Sequence, residues 1–284
     1  LTRAIRAALA TLGTRQAPML VTGSPPSVAV FGKLDEVATV YYCMDDFLHL
    51  PHVSAHMIAP LERELLERVD ALVATAEALL VSKRPRSGRA HYLPQGVNYE
   101  HFAAPEPVPA ELASLPRPII GFAGGLTTPV DLPLLRRLSE AFDTGSIVLV
   151  GPVHVDLSSI AAGNVHILGA RPYRHLPAYV QAFDVGIIPY VLNQHTVAVD
   201  PLKLLEYLSA GVPVVTTELP EVRKYSASVA IAPTHDAFVT AVRAALSIPG
   251  DRIARQQVAQ QHGWDRRADA FMHILGDLYA MRRS

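Results

Sequence analysis

Short apolar runs recur along this chain with helical patterns between them, and this constrains the fold more than any other feature. PMLVTG (18–23), ATVYYCMD (38–45), ALVATA (71–76) and AHYLP (90–94) form a first series. PIIGFAG (118–124), SIVLVG (146–151), NVHILG (164–169), DVGIIPY (184–190), VPVVTT (212–217) and SVAIA (228–232) form a second. Each run is too short for a core helix and too evenly apolar for a strand with one wet face, so each reads as a strand buried on both sides. Helices are expected at about 55–69, 132–142, 176–183 and 202–209, with more helix from His235 onward. This alternation specifies an α/β fold, in which two Rossmann-like domains carry parallel sheets covered on both faces.

Between the two series, QGVNYEHFAAPEPVPAELASLPRP (95–118) is rich in proline and has no sustained periodicity, the pattern of a linker. The division read from the sequence is a partial first domain over 1–105, a linker over 106–118 and a second domain over 119–284 that includes closing C-terminal helices. The second domain has a full set of strands. The first has too few, and it opens on an amphipathic helical pattern, LTRAIRAALATL (1–12), where a Rossmann-like domain opens on a strand. A further β/α portion before Leu1 is therefore expected, on the order of a hundred residues by usual domain size.

Composition narrows the function classes. The formal charge of −1 gives no general attraction to nucleic acid or to an acidic membrane, so any anion site is local. Cys43 is the only cysteine, which excludes an internal disulfide and an all-cysteine metal site and fits a reducing compartment. No apolar run reaches the length of a membrane span. The expectation is a cytoplasmic protein, with peripheral contact at the inner membrane face left open.

One segment points to chemistry. In DPLKLLEYLSAGVPVVTT (200–217), Asp200 suits an N-cap, Pro201 the first helical position, and Gly211 the stop before a strand of valines. Leu202, Lys203 and Glu206 then lie on the first turns of a helix between two strands, where open α/β sheets hold phosphorylated ligands. Lys203 either offsets a diphosphate or is a solvated helix lysine, and Glu206 carries the same two readings. Gly124 and Gly125, after a strand, either admit a ligand close to the backbone or form a tight turn. GFAGG lacks the G-x-G-x-x-G spacing, and no acidic residue is placed at the end of a following strand to hold a ribose, which argues against hydride transfer.

Glu206 with SAGVPVV (209–215) resembles the donor-binding segment of GT-B glycosyltransferases, E-x-F-G-x-x-x-x-E followed by A-x-G-x-P-V-V. The resemblance is to the retaining, family 4-like enzymes (glycosyl transferases group 1) that use nucleotide-diphospho-sugars. GFAGGLTTPVDLPLLRRLSEAF (121–142), LVGP (149–152), NVHILGARPY (164–173) and AYVQAFDVGIIPY (178–190) follow in that family's order, so the resemblance covers nearly the whole chain. There are departures: Ala198 stands where the family has its first glutamate, and Gln95 and Asn98 replace the Asn and Asp of its interdomain P-N-G-V-D signature.

The resemblance implies a GT-B fold whose first domain is incomplete, and a hexosyltransferase acting with retention on a glycan, lipid-linked or small-molecule acceptor. It implies that Glu206 accepts hydrogen bonds from the donor ribose, with Lys203 at the diphosphate. Arg171 and Tyr173 of ARPY then stack on the nucleobase or contact phosphate, and Thr196 in NQHTVAVD (193–200) faces the donor sugar. Asp200, Pro201 and Leu202 complete the donor set, Asp200 more as a helix cap than as a sugar ligand. Asp45 and Asp46 stand near the place of a histidine that touches the sugar in many relatives; they either orient an acceptor hydroxyl, act as a base, or cap. No D-x-D pair is present, and Pro51 interrupts the face shared by His49, His52 and His56, so neither a metal nor any other cofactor is expected. Lys83, Arg84, Arg86 and Arg89 form a basic run, read as a solvated loop or as an approach to an anionic lipid carrier. The expected partners are a nucleotide sugar and an acceptor, not nucleic acid. A sugar-nucleotide epimerase of the same fold and a noncatalytic nucleotide-sugar-binding protein are the competing readings.

Overall fold

A computed structural model describes residues 2–13, 17–51, 53–160 and 163–283. The chain forms two compact units, Leu1–Pro94 with Arg267–Ser284, and Gln95–Arg266.

The first unit contains α1 (Thr2–Thr11), β1 (Met19–Thr22), β2 (Ala38–Cys43), α2 (Ala55–Arg68), β3 (Ala71–Ala74), α3 (Glu77–Ser82) and β4 (Ala90–Tyr92). Its four strands are all parallel and lie in chain order, β1-β2-β3-β4. Strand order therefore does not reverse anywhere among the described strands of this sheet.

The second unit contains α4 (Tyr99–Ala103), α5 (Ala110–Ala113), β5 (Ile119–Ala123), α6 (Leu132–Ala141), β6 (Ser146–Val150), β7 (Val165–Gly169), α7 (Leu176–Gln181) and β8 (Val185–Ile188). It continues with α8 (Leu202–Ser209), β9 (Val214–Thr217), β10 (Ala230–Ala232), α9 (His235–Ser247) and α10 (Arg252–Gln260), and α11 (Trp264–Arg283) follows. Its six parallel strands run in the order β10-β9-β8-β5-β6-β7. This is the doubly wound Rossmann order, which reverses between β5 and β8. Side chains alternate across the sheet as strand geometry requires. Ile119, Ala123, Val148 and Val150 enter one core with residues of α7 and α8, while Ile120, Phe122, Ile147 and Leu149 enter another with residues of α6 and α9.

The strands fall where the apolar runs place them, but the units divide differently from the sequence reading. The Pro-rich stretch is not a free linker: Val97, Phe102 and Leu112 are fully buried in the second unit's core. At the other end, α11 is not a closing helix of the second unit. Ala270, Phe271, Ile274, Leu275 and Leu278 line one helical face and pack with Val40, Ala71, Val73 and Leu93 of the first. An apolar stripe records that a helix is covered without recording by which sheet.

Candidate functional site

In an open parallel sheet, ligands bind outside the carboxyl ends of the strands where their order reverses. Here that place lies beyond β5 and β8. β5 ends at Ala123 and is followed by Gly124, at φ +153°. The neighbouring β6 ends at Val150 and is followed by Gly151, at φ +151°. A Cβ on Gly124 would lie 2.8 Å from Lys203 Cε, and one on Gly151 would lie 1.9 Å from the Gly124 carbonyl oxygen. The two glycines let the loops and the Lys203 side chain nest where no larger residue fits. Gly125 meets only ordinary van der Waals contacts at that position.

Helix α8 is fixed against this end of the sheet. Tyr207 Oη accepts a 2.7 Å bond from the Ala123 amide, and Arg255 donates from Nε and Nη2 to the Gly211 carbonyl at the helix end. Gly211, at φ +74°, ends the helix as the sequence indicates. Its start differs: Pro201 is the N-cap, and no side chain caps the first turn. Asp200 is instead buried outside the helix, where it accepts from the Gln95 amide at 2.9 Å and pairs with Lys224 at 3.1 Å. Burial raises its pKa, with Lys224 opposing. The first amides of α8 are thus left without a side-chain acceptor, the arrangement that favours an anion.

Lys203 is not a solvated helix lysine. Its ammonium donates to Tyr190 Oη and lies 4.6 Å from the Tyr190 ring centroid and 5.3 Å from that of Phe122. One turn on, Glu206 is 9% exposed, and among the described residues its carboxylate receives no hydrogen bond. Burial pushes its pKa up to about 7, partly offset by the Lys203 charge. A carboxylate so largely enclosed and without a protein donor has its acceptor sites open to a ligand hydroxyl.

Tyr173 is half exposed. Burial and then the Glu206 charge raise its pKa. Its ring stacks on His101 with centroids 4.7 Å apart and planes 25° apart, a contact that joins α4 to the ARPY loop. Arg171, read from the sequence as a nucleobase or phosphate ligand, is already engaged. Its guanidinium pairs with Glu111 at 3.0 Å and donates to Tyr179 Oη and the Leu168 carbonyl. Thr196 is fully buried, its hydroxyl donating to Val191 O at 2.6 Å and accepting from the Asn193 amide. It closes its own loop. Beside it, His195 Nδ1 is buried without a hydrogen-bond partner among the described residues. Leu202 packs against the core of the second unit.

In the first unit, Asp46 does not offer a free carboxylate. It is 8% exposed, with Oδ1 bonded to Lys83 Nζ at 2.8 Å and Oδ2 to His49 Nδ1 at 2.5 Å. Lys83, read from the sequence as part of a solvated basic loop, is 4% exposed and bridges Asp46 to Glu62 at 2.7 Å. Tyr41 Oη also donates to Glu62. Burial opposes the charges of Asp46 and Lys83, yet their mutual bonds prevail: the pKa of Asp46 is lowered and that of Lys83 raised. Asp45 is half-buried, and its carbonyl accepts from Cys43 Sγ. Arg84, Arg86 and Arg89 are exposed as expected. His56 is exposed on α2, and His52 lies outside the described residues. Among the described residues, no group of three or more His, Cys, Asp or Glu side chains is arranged to hold a metal ion.

Phe122, Tyr190, His101 and His195 were not singled out by sequence reasoning. Only Tyr190, just past a strand end, carried a signal that could have found it.

Residues 117–247, which hold this whole strand-end site, match the family described as Glycosyl transferases group 1. A Bacillus subtilis protein, TuaH, whose name assigns it to teichuronic acid biosynthesis as a glycosyltransferase, is 31% identical over 179 residues. That match covers 59% of this chain, and the chain spans 45% of the relative's length. Among solved structures, sucrose-phosphate synthase from Thermosynechococcus elongatus superposes with a TM-score of 0.76 at 17% identity, covering 99% of this chain and 77% of that one. The Anabaena protein HepE in complex with UDP gives 0.72 at 12% identity, over 97% of this chain and 82% of that one. An E. coli structure titled trehalose-6-phosphate, bound with UDP-2-fluoro glucose, gives 0.70 at 15% identity, over 98% and 76%. At these identities the likeness concerns the fold, which is GT-B.

Proposed function

We propose that the second unit binds a nucleoside diphospho-sugar and that the chain, within its whole protein, transfers the sugar to an acceptor hydroxyl. The observation that carries this reading is Glu206, a buried carboxylate without a hydrogen-bond donor, one helical turn from the Lys203 ammonium at the strand-order reversal. Glu206 suits a pair of ribose hydroxyls. Lys203 and the uncapped amides of α8 suit the diphosphate, with Gly124 giving it room, and the exposed face of Tyr173 suits the base. HepE is described with UDP and the E. coli protein with UDP-2-fluoro glucose, which supports the same ligand class here.

The reaction follows from that arrangement. The bond from the sugar's anomeric carbon to the diphosphate oxygen breaks as the bond to the acceptor oxygen forms on the same face. The acceptor proton passes to the leaving phosphate. Lys203 and the helix amides stabilise the charge that develops on the diphosphate, without a metal. Retention rests on the family resemblance. The acceptor would be a glycan or a lipid-linked saccharide, and the exposed arginines Arg63, Arg84 and Arg86 around a pocket of about 600 Å³ suit an anionic carrier or membrane face.

A thermal-shift panel of nucleoside diphospho-sugars tests the proposal, because a ligand that binds only the folded state raises the unfolding temperature by mass action. Selective stabilisation by one base and sugar is expected. No shift with any member, on a folded sample, overturns it.

A further inference from the structure

The chain's single tryptophan, Trp264, is 45% exposed and lines a pocket of about 550 Å³ in the second unit, a volume within the usual range of roughly 300–1,000 Å³ for small-ligand sites. Its walls are the chain from Val97 to Glu100 and the chain from Gln260 to Arg266. They are joined by two backbone bonds, Val97 N–H to His262 O at 2.9 Å and Trp264 N–H to Val97 O at 3.2 Å, so the pocket is preformed. None of its lining residues belongs to the donor set around Lys203 and Glu206.

Most polar side chains around the indole are uncommitted, Asn98 alone being used, as the acceptor of the His101 amide. Among the described residues, the side chains of Glu100, Gln260, Gln261, Asp265 and Arg266 form no hydrogen bond or ion pair, although acids and a guanidinium line the same pocket. Two carboxylates accept from vicinal hydroxyls, two amides both donate and accept, and the guanidinium donates to ring or hydroxyl oxygens. The negative face of the indole attracts the weakly positive C–H patch on one face of a pyranose. A flat apolar ring edged by planar hydrogen-bonding groups of both kinds matches a sugar better than a peptide or a nucleotide. Two carboxylates against one guanidinium leave a net negative rim, which disfavours uronic acids and sugar phosphates.

We propose that this pocket is a saccharide-binding subsite that takes a neutral pyranose unit of an oligosaccharide. It does not depend on the donor reading, although the two sites are adjacent in sequence: Glu100 on its wall precedes His101, which stacks on Tyr173.

Because Trp264 is the only tryptophan, its emission reports on the pocket directly. The full chain is titrated with maltotriose, with triacetylchitotriose and with glucuronic acid. The expected result is a saturable blue shift with at least one neutral trisaccharide and none with glucuronic acid, unchanged when a nucleoside diphosphate is present in excess. Asp265→Asn, an isosteric change at an exposed position, is expected to weaken that binding about tenfold or more through loss of charged acceptors. No shift with either trisaccharide, an equal shift with glucuronic acid, or unchanged affinity in Asp265→Asn overturns the proposal. Calorimetric donor binding on the same sample is read separately, so failure of one site is not mistaken for failure of the other.

Discussion

Glu206→Gln removes the only titrating part of Glu206 while keeping its shape, and it isolates what burial does to that carboxyl. The folded pKa is about 7 against an ordinary 4.5. That difference of about 2.5 units corresponds to about 3 kcal/mol at 1.36 kcal/mol per unit. The folded pKa is raised, so between these values the folded state holds a proton that the unfolded chain has lost, and stability falls as pH rises through the window. The wild type should therefore lose about 3 kcal/mol relative to Glu206→Gln between pH 4.5 and 8. Any cost of burying the amide is the same at both ends and cancels. Urea unfolding at a series of pH values, read through exchange protection of amides in β5 and β8, measures this in the second unit itself. Parallel pH profiles for the two proteins would refute the reasoning, because they would mean that Glu206 titrates as an exposed carboxyl.

Other perturbations test neighbouring parts of the account. Lys203→Ala should weaken a nucleoside diphosphate by about tenfold or more while leaving the free nucleoside almost unaffected, which competitive calorimetry separates. Gly151→Ala, whose Cβ would sit 1.9 Å from the Gly124 carbonyl oxygen, should cost about 3 kcal/mol or more through overlap and backbone strain. Gly163→Ala, with nothing within 4 Å of its Cβ, should change stability by less than about 0.5 kcal/mol, and thermal unfolding of both checks the contrast. Lys83→Met leaves the Asp46 and Glu62 carboxylates buried without their cation and should destabilise the first unit by about 3–5 kcal/mol. If Lys83→Met unfolds at the wild-type urea concentration, the buried bridge is not as described.

The strands were legible because burial on both faces leaves uninterrupted valine, leucine and isoleucine, as in SIVLVG (146–151), where Gly151 and Pro152 bound the run. Helix α8 was legible through Gly211 and its valine strand. What was not legible depends on partners distant in sequence. Lys83 reads as one of four neighbouring cations, and only the fold brings Asp46 and Glu62 to it while leaving Arg84, Arg86 and Arg89 in solvent. Asp200 has an N-cap's sequence context, but Lys224 and the Gln95 amide compete for its oxygens and Pro201 takes the cap. Arg171 reads as a ligand group until Glu111, contributed by the supposed linker, is found beside it. Glu206 and Lys203 were singled out from spacing and resemblance, yet the rings that hold Lys203 lie at the ends of two other strands.

The central claim is that Glu206 receives the hydroxyls of a bound nucleotide. Its most direct test is calorimetric titration of the donor nucleotide at pH 7 in two buffers of different ionisation enthalpy. With a pKa of about 7 in the free protein, Glu206 is about half protonated at that pH. Hydrogen bonds from ribose hydroxyls favour its charged form, so binding should release about half a proton, and affinity should rise with pH through this range. Glu206→Gln should release none and bind about tenfold to a hundredfold more weakly. Equal affinity and equal proton release in the two proteins would contradict the account.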